Sequence, residues 1–458
     1  MNNGPGRSSV MVNISACAVY RAQIPGKACP SFKKENDLYS GYAKFSEPLV
    51  VSSDAKFEVE SAKGGLVHIR SCATNNYLEQ TEDDSISGKP DEQYWITVTA
   101  EKKEEDQSKE SCTLFKPVEE DAVNKTYRFV HVQSGCYLCL RLNPSSDVSA
   151  GVLANSTKVD SDGNDIFRVI DWDWLVILPK FVAFKGNNDK YLLLIEIEGY
   201  PYLQFSGEDI GDASAAMEIF YTPNGIIRIK PINSKKYWRR RPNWIWVDSD
   251  DTVGNDKDTL FRPFKVDSKT IALLNLGNNM FCKRLTTEGK SSCLNAGIPS
   301  ATKETYLKVE EPVLSRKIEN ITYLTENSRI YDEKVEIVAR STAINHSKES
   351  NTQEVKLQYT DTKTSTWETS AESVFEWGET TTTSTVLEVT HKVTVPPMTK
   401  VTVYMVMTKG KCDVPFTYTQ KDALYNGEVV TTVVKGNTFK GSNYYNTDFI
   451  VKEEPLTS

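Results

Sequence analysis

A three-part pattern recurs along residues 181–310: an apolar step, a polar turn, then an aromatic residue opening a second apolar step. The first copy runs from Phe181-Val182-Ala183-Phe184 through Gly186-Asn187-Asn188-Asp189 to Tyr191-Leu192. The second runs from Ile226-Ile227-Arg228-Ile229 through Ser234-Lys235-Lys236 to Tyr237-Trp238, and the third from Ile271-Ala272-Leu273-Leu274 through Gly277-Asn278-Asn279 to Met280-Phe281. The anchoring aromatics Tyr191, Tyr237 and Phe281 are nearly evenly spaced. A fixed period marks one supersecondary unit copied several times, no copy of which can bury its apolar face alone.

Three strand–turn–strand units with little between them that reads as helix close into a small antiparallel barrel of pseudo-threefold symmetry, the β-trefoil pattern. The unit also appears earlier, as Val67-His68-Ile69-Arg70 leading through Thr74-Asn75-Asn76 to Tyr77-Leu78. A further copy is Phe129-Val130-His131-Val132, leading through Ser134-Gly135-Cys136 to Tyr137-Leu138. A longer repeat overlies these. Thr113-Leu114-Phe115-Lys116-Pro117 is matched by Thr259-Leu260-Phe261-Arg262-Pro263, and Tyr94-Trp95-Ile96 by Trp244-Ile245-Trp246, in the same order. The expectation is an all-β chain with two tandem β-trefoil domains, residues 17–172 and 173–312, behind a disordered tail at 1–16.

Composition narrows the function classes. No stretch approaches the roughly 18 consecutive apolar residues of a membrane helix. The N-terminus lacks the apolar core of a secretory signal, so a cytoplasmic or nucleocytoplasmic location is expected. A net charge of −8 argues against nucleic acid as partner. The basic run Arg239-Arg240-Arg241 reads as a solvated turn. The 9 cysteines are scattered. Cys136 and Cys139 form a lone C-x-x-C without the second pair of a zinc site, and read as small buried side chains on one strand. N-x-[ST] sequons stand at Asn13, Asn124, Asn155, Asn320 and Asn345. His68 and His131 alternate with apolar neighbours and read as packing residues. With no nucleophile, phosphate-loop, metal or paired-carboxylate signature, the chain is not expected to be an enzyme or to hold a metal or cofactor.

Composition changes after Pro312. Val386, Glu388, Thr390, Lys392 and Thr394 alternate with Leu387, Val389, His391, Val393 and Val395. Val355, Leu357 and Tyr359 alternate with Lys356, Gln358 and Thr360, and Val401, Val403 and Met405 resume the pattern beyond Pro396-Pro397. Period two over such lengths means long, half-buried strands. Residues 315–458 are therefore expected to form an elongated β domain.

Motifs in order along residues 43–312 resemble the amaranthin family of plant agglutinins. They include Lys56-Phe57-Glu58-Val59-Glu60, Gly65-Leu66-Val67-His68-Ile69, Tyr94-Trp95-Ile96-Thr97, Cys112-Thr113-Leu114-Phe115-Lys116-Pro117 and Phe184-Lys185-Gly186-Asn187-Asn188. The region after 315 is similar to the aerolysin-type pore-forming module, on Ser365-Thr366-Trp367-Glu368-Thr369-Ser370, Trp377-Gly378-Glu379-Thr380, Val393-Thr394-Val395-Pro396-Pro397 and Cys412-Asp413-Val414-Pro415-Phe416. The resemblance implies a defence-related lectin for galactose/N-acetylgalactosamine-type glycans. It also implies a homodimer or larger homo-oligomer, head to tail, and association with membranes. Sugar sites set an aromatic face against the sugar's C–H face and amides or carboxylates against its hydroxyls. Gln93, Tyr94 and Trp95, which follow Asp91-Glu92, are the expected platform, joined by Trp244 and Trp246. Two arrangements stay open for the first platform: both aromatics outward, or Trp95 in the barrel with Tyr94 alone exposed. Of Trp244 and Trp246, alternation puts one outward and one in the core.

Two departures from the family pattern matter. Gln23-Ile24-Pro25-Gly26-Lys27 stands where the family has its first-lobe turn. Between the T-W-x-T-S and W-G-E-T motifs only Ala371-Glu372-Ser373-Val374-Phe375-Glu376 remains. A membrane-spanning strand needs about 9–11 residues of unbroken alternation, which this segment cannot supply twice. The alternative function, a lectin-targeted β-barrel pore-forming toxin, is therefore disfavoured. A scaffold or storage protein without ligand is the third reading.

Overall fold

A computed structural model describes residues 16–21, 29–31, 41–83, 93–141, 151–172, 175–368 and 381–456. The tail, the Gln23–Lys27 segment, Asp91-Glu92 and the Ala371–Glu376 connection lie outside them. The described residues form strands joined by turns and single 3₁₀ turns.

Each trefoil begins from the turn chemistry of its repeats. In four of the copies the residue two places before the anchoring aromatic is left-handed: Asn75 (φ 62°) before Tyr77, Gly135 (67°) before Tyr137, Asp189 (58°) before Tyr191 and Asn279 (55°) before Phe281. Only Gly, Asn and Asp adopt this region readily. That requirement explains the polar turn of the repeat. The strands so joined pack their alternate residues inward. Phe57, Ile69, Ile96, Phe115, Phe129 and Phe167 share the first core. Phe184, Leu203, Ile227, Trp238, Phe261 and Leu294 share the second. Burying each such side chain contributes about 1.5–3 kcal/mol, so the aromatic landmarks of the repeat are also its main source of stability.

The duplication extends to pairing and polar contacts. Val67 pairs with Phe115 in the first barrel as Ile227 pairs with Phe261 in the second. Glu58 faces Arg70 across one ladder and Glu218 faces Lys230 across the other, and both pairs form ion bridges. His131, opposite Phe115, shares a 2.9 Å hydrogen bond between Nε2 and the Cys112 carbonyl. Asn275, opposite Phe261, donates to the Asp258 carbonyl at 2.9 Å. Different residues thus satisfy the same backbone acceptor three positions before the matching phenylalanine. His68 is equally buried, with Nδ1 2.8 Å from Thr113 Oγ1. Both histidines are packing residues, and burial lowers the pKa of each. The barrels join through a backbone hydrogen bond from Val50 to Pro223 (3.0 Å) and a cluster in which Leu175 and Ile177 pack against Val50, Ala55 and Trp172.

Two sequence expectations are corrected. Arg239-Arg240-Arg241 is not a solvated turn but part of the Tyr237–Arg241 strand, where Asp248 bonds Arg239 and Arg241 and Asp258 bonds Arg240. Cys136 and Cys139 do not share a strand as buried residues. Cys136 precedes the Tyr137–Leu140 strand, and both are half-buried.

Contacts divide the chain into two units, the first of which holds both trefoils, the chain through Ile321, and residues Tyr418–Gly436. In it, Arg316 forks onto Asp422 (2.7 and 2.8 Å) and onto Glu311 (3.2 and 2.6 Å). In the second unit, Arg329–Asn345 pairs antiparallel with the start of the Thr399–Leu424 strand, from Asn345↔Thr399 to Arg329↔Asp413. Asn351–Glu368 pairs with Thr381–Val395 without a break from Asn351↔Val395 to Ser365↔Thr381. At about 3.3 Å per residue such strands are about 50 Å long. The alternation read from the sequence sets their faces: Val355, Leu357, Val393, Val395, Val401, Val403 and Met405 are buried in one cluster, while Lys356, Thr394 and Lys392 are exposed.

Candidate functional site

The first trefoil carries a groove of about 780 Å³ whose walls come from all parts of its repeat. The Tyr77–Glu82 strand supplies Glu79, Gln80, Thr81 and Glu82, and the antiparallel Tyr94–Ala100 strand supplies Tyr94 and Thr99. Glu110 and Ser111 come from the following loop, Gln133, Ser134 and Cys136 from a left-handed turn, and Asn155 from the Val152–Ser156 strand.

Register sets the chemistry. Glu82 lies directly opposite Tyr94, and directly opposed residues share one face with Cβ atoms about 5 Å apart. An aromatic ring and a carboxylate therefore stand side by side at the groove. The Tyr94 backbone N–H donates to Asn155 Oδ1 (3.1 Å), and Gln80 Nε2 donates to the Ala154 carbonyl (2.7 Å). These bonds tie three strands into one floor. A chain of hydroxyls links Thr81, Thr97 and Thr99 at 2.8 Å each and ends on Glu79 Oε1 at 2.7 Å. Ser134 Oγ lies 3.0 Å from His131 Nδ1, so the buried histidine holds the turn that closes the far wall.

The two residues of the expected platform separate. Tyr94 is half-exposed and lines the groove. Trp95 is 0% exposed, so it has no face to offer a ligand, and its place as a platform is corrected. Period two sends neighbours to opposite faces of a strand: Ile96 enters the barrel core, and Trp95 is buried on the other side in a separate cluster with Leu153 and Tyr42. There its Nε1 donates to the Asp83 carbonyl (3.1 Å), Tyr42 meets it edge-on at 5.9 Å, and Arg141 lies 5.5 Å from its ring. Gln93 is half-buried, and its carbonyl accepts from the Asp83 N–H (2.7 Å). Gln93 and Trp95 thus brace the strand end that presents Tyr94.

Trp244 and Trp246 lie on the second trefoil and are not among the groove's walls. Trp244 is 6% exposed, against Tyr202 and Cys293. Trp246 is half-buried beneath Tyr200, stacked at 4.6 Å and 21°. The inward–outward split expected of the pair is corrected: residues two apart share a face, both rings pack on Tyr202 at 5.9 and 5.4 Å, and it is Ile245 and Val247 that enter the barrel core. Sequence reasoning missed Glu79, Gln80, Glu82, Glu110 and Gln133. The alternating Tyr77–Glu82 strand could have shown its polar face, but only folding brings the other loops beside it.

Two tandem trefoils, with a shallow groove set with one aromatic ring, amides, hydroxyls and carboxylates, define an agglutinin-type carbohydrate-binding protein. The family model of the Agglutinin domain matches residues 32–171 and 176–309, more than half the chain, and the chain belongs to that family. No curated protein matches it. Among solved structures, a mosquitocidal holotoxin is 11% identical over 68% of this chain, with TM-score 0.30; the chain covers 36% of the holotoxin's length. A lamprey immune protein is 12% identical over 61% of this chain and 92% of its own (TM-score 0.28). The β-trefoil BEL is 11% identical over 30% and 99% (TM-score 0.26). Likenesses this distant carry no argument about function.

Proposed function

We propose that the chain is a lectin whose first-trefoil groove binds galactose/N-acetylgalactosamine-type glycans, without enzymatic activity, and that it acts as a homodimer or larger homo-oligomer. The observation that carries this is Tyr94 beside Glu82. A ring that receives a sugar's C–H face and a carboxylate that accepts from its hydroxyls sit on one face of one hairpin. Among the described residues the thiols of Cys112, Cys136, Cys282, Cys293 and Cys412 are free, which supports a reducing, cytoplasmic setting. A glycan array on the full chain tests the reading. Tyr94→Ala should then weaken the best ligands about 5–30-fold, as losing an exposed stacking aromatic worth about 1–2 kcal/mol requires. Unchanged binding by this variant at an unchanged melting temperature would remove the groove from consideration.

The second reading, a lectin-targeted pore-former with an aerolysin-like module, is favoured by one observation. The paired strands flanking the Ala371–Glu376 connection are 18 and 15 residues long, more than the about 9–11 that span a bilayer. Their faces oppose it. From Asp361 to Ser365 and from Thr381 to Thr385 neither face holds an apolar row.

A further inference from the structure

The walls of the Tyr94 groove carry three carboxylates, Glu79, Glu82 and Glu110, and among the described residues no lysine or arginine. We infer that the groove selects its ligand by charge: it takes neutral glycans and hexosamines with a free amine, and rejects glycans carrying a carboxylate or sulfate. The inference rests on the groove being the sugar site.

The carboxylates are placed for this. Glu82 faces Tyr94 across the ladder, so any sugar stacked on the ring presents its edge to that side chain. Glu82 and Glu110 are both exposed and make no ion pair or hydrogen bond among the described residues, so neither charge is offset locally. Glu79 accepts from Thr99 and holds the end of the hydroxyl chain. Two cations close in sequence are committed elsewhere: Lys109, next to Glu110, bonds Glu104 at 2.6 Å, and Lys103 bonds Glu60. A ligand carboxylate or sulfate would therefore approach three like charges with no cation on the groove's described walls to receive it, which is how a site excludes the wrong partner. Hydroxyls and ammonium groups meet acceptors instead.

The test compares one neutral galactose–N-acetylgalactosamine disaccharide with its sialylated and sulfated forms, and N-acetylgalactosamine with free-amine galactosamine. Affinities are measured at low and high salt for the wild type, Glu82→Gln, and the Glu79→Gln/Glu82→Gln/Glu110→Gln variant, with melting temperatures recorded for each. Like charges a few ångströms apart at a wet surface should weaken the anionic forms at least about tenfold at low salt, and screening should narrow the gap. The ratio of neutral to anionic affinity should fall in Glu82→Gln and approach unity in the triple variant. The free amine should lose its advantage there. Equal affinities for neutral and anionic forms would overturn the inference and leave the groove standing, as would a gap that the glutamines do not change. If no neutral glycan binds, or Tyr94→Ala binds as well as wild type, the groove and its selectivity fall together.

Discussion

Arg70 is 2% exposed, yet it carries a full charge at the edge of the first barrel. Its guanidinium is held by Glu58, Glu60 and Asn75, and Glu60 also receives Lys103 and the Tyr77 hydroxyl. Burial pushes the Glu60 carboxyl up, but Lys103 and Arg70 outweigh it and bring the pKa from 4.5 to about 2. The sign follows from linkage: a carboxylate depressed by folding stabilises the folded state above its unfolded value, and loses that contribution as pH falls through the folded one. The first trefoil should therefore lose stability between about pH 4.5 and pH 2. Melting curves across this range should fall more steeply for the wild type than for Glu60→Gln. Parallel curves would show that Glu60 is not the group responsible. Tyr94 and Trp95 carry the other lesson of this scale. The motif was legible, but what covers each of two adjacent residues is decided by residues distant in sequence: Leu153 and Tyr42 bury Trp95, while Tyr94 is left half-exposed.

Among elements, the hairpins of the repeat were read correctly because their information is local: apolar alternation plus a left-handed turn residue. The Val313–Tyr323 strand is different. Arg316 on it meets Asp422, 106 positions away, and its own neighbour Glu311, with side chains 8%, 11% and 6% exposed. Such a buried fork is specific in geometry, and removing the cation would leave two buried carboxylates facing each other. Arg316→Ala should cost about 3–5 kcal/mol in denaturant unfolding, and Arg316→Lys should recover only part of it. A loss below about 1 kcal/mol would mean that water replaces the guanidinium freely. Nothing near Arg316 in sequence marks Asp422 as its partner, so this joint could not be read from the chain.

For the whole molecule, the question is whether the long hairpin of the second unit can enter a bilayer. Its length suffices, but a β-barrel in lipid needs a continuous apolar row on the outer face. The row formed by Val355, Leu357, Val389, Val393 and Val395 belongs to the unit's own core, and it gives way to Asp361, Lys363, Thr383 and Thr385 along the strands. Charged side chains at the bilayer centre cost about 2.5–3.5 kcal/mol each. Liposomes bearing a bound glycan should therefore capture the protein yet release little trapped dye. Efficient release at low protein concentration, abolished when residues 367–380 become a Gly/Ser linker, would reverse this judgement.

By itself the sequence determined the all-β class, the tandem barrels, the long C-terminal strands and the Tyr94 motif. Each of these is written in spacing: a period of two for strands, a recurring turn residue, a landmark repeated in order. The tertiary structure alone decided which way each aromatic faces, that Arg239-Arg240-Arg241 is a strand neutralised by Asp248 and Asp258, and that Glu79, Glu82, Glu110, Gln133 and Asn155 surround one groove. Those facts depend on the closure of a barrel that brings the ends of different repeats together. Contacts of that kind leave no periodic trace along the chain.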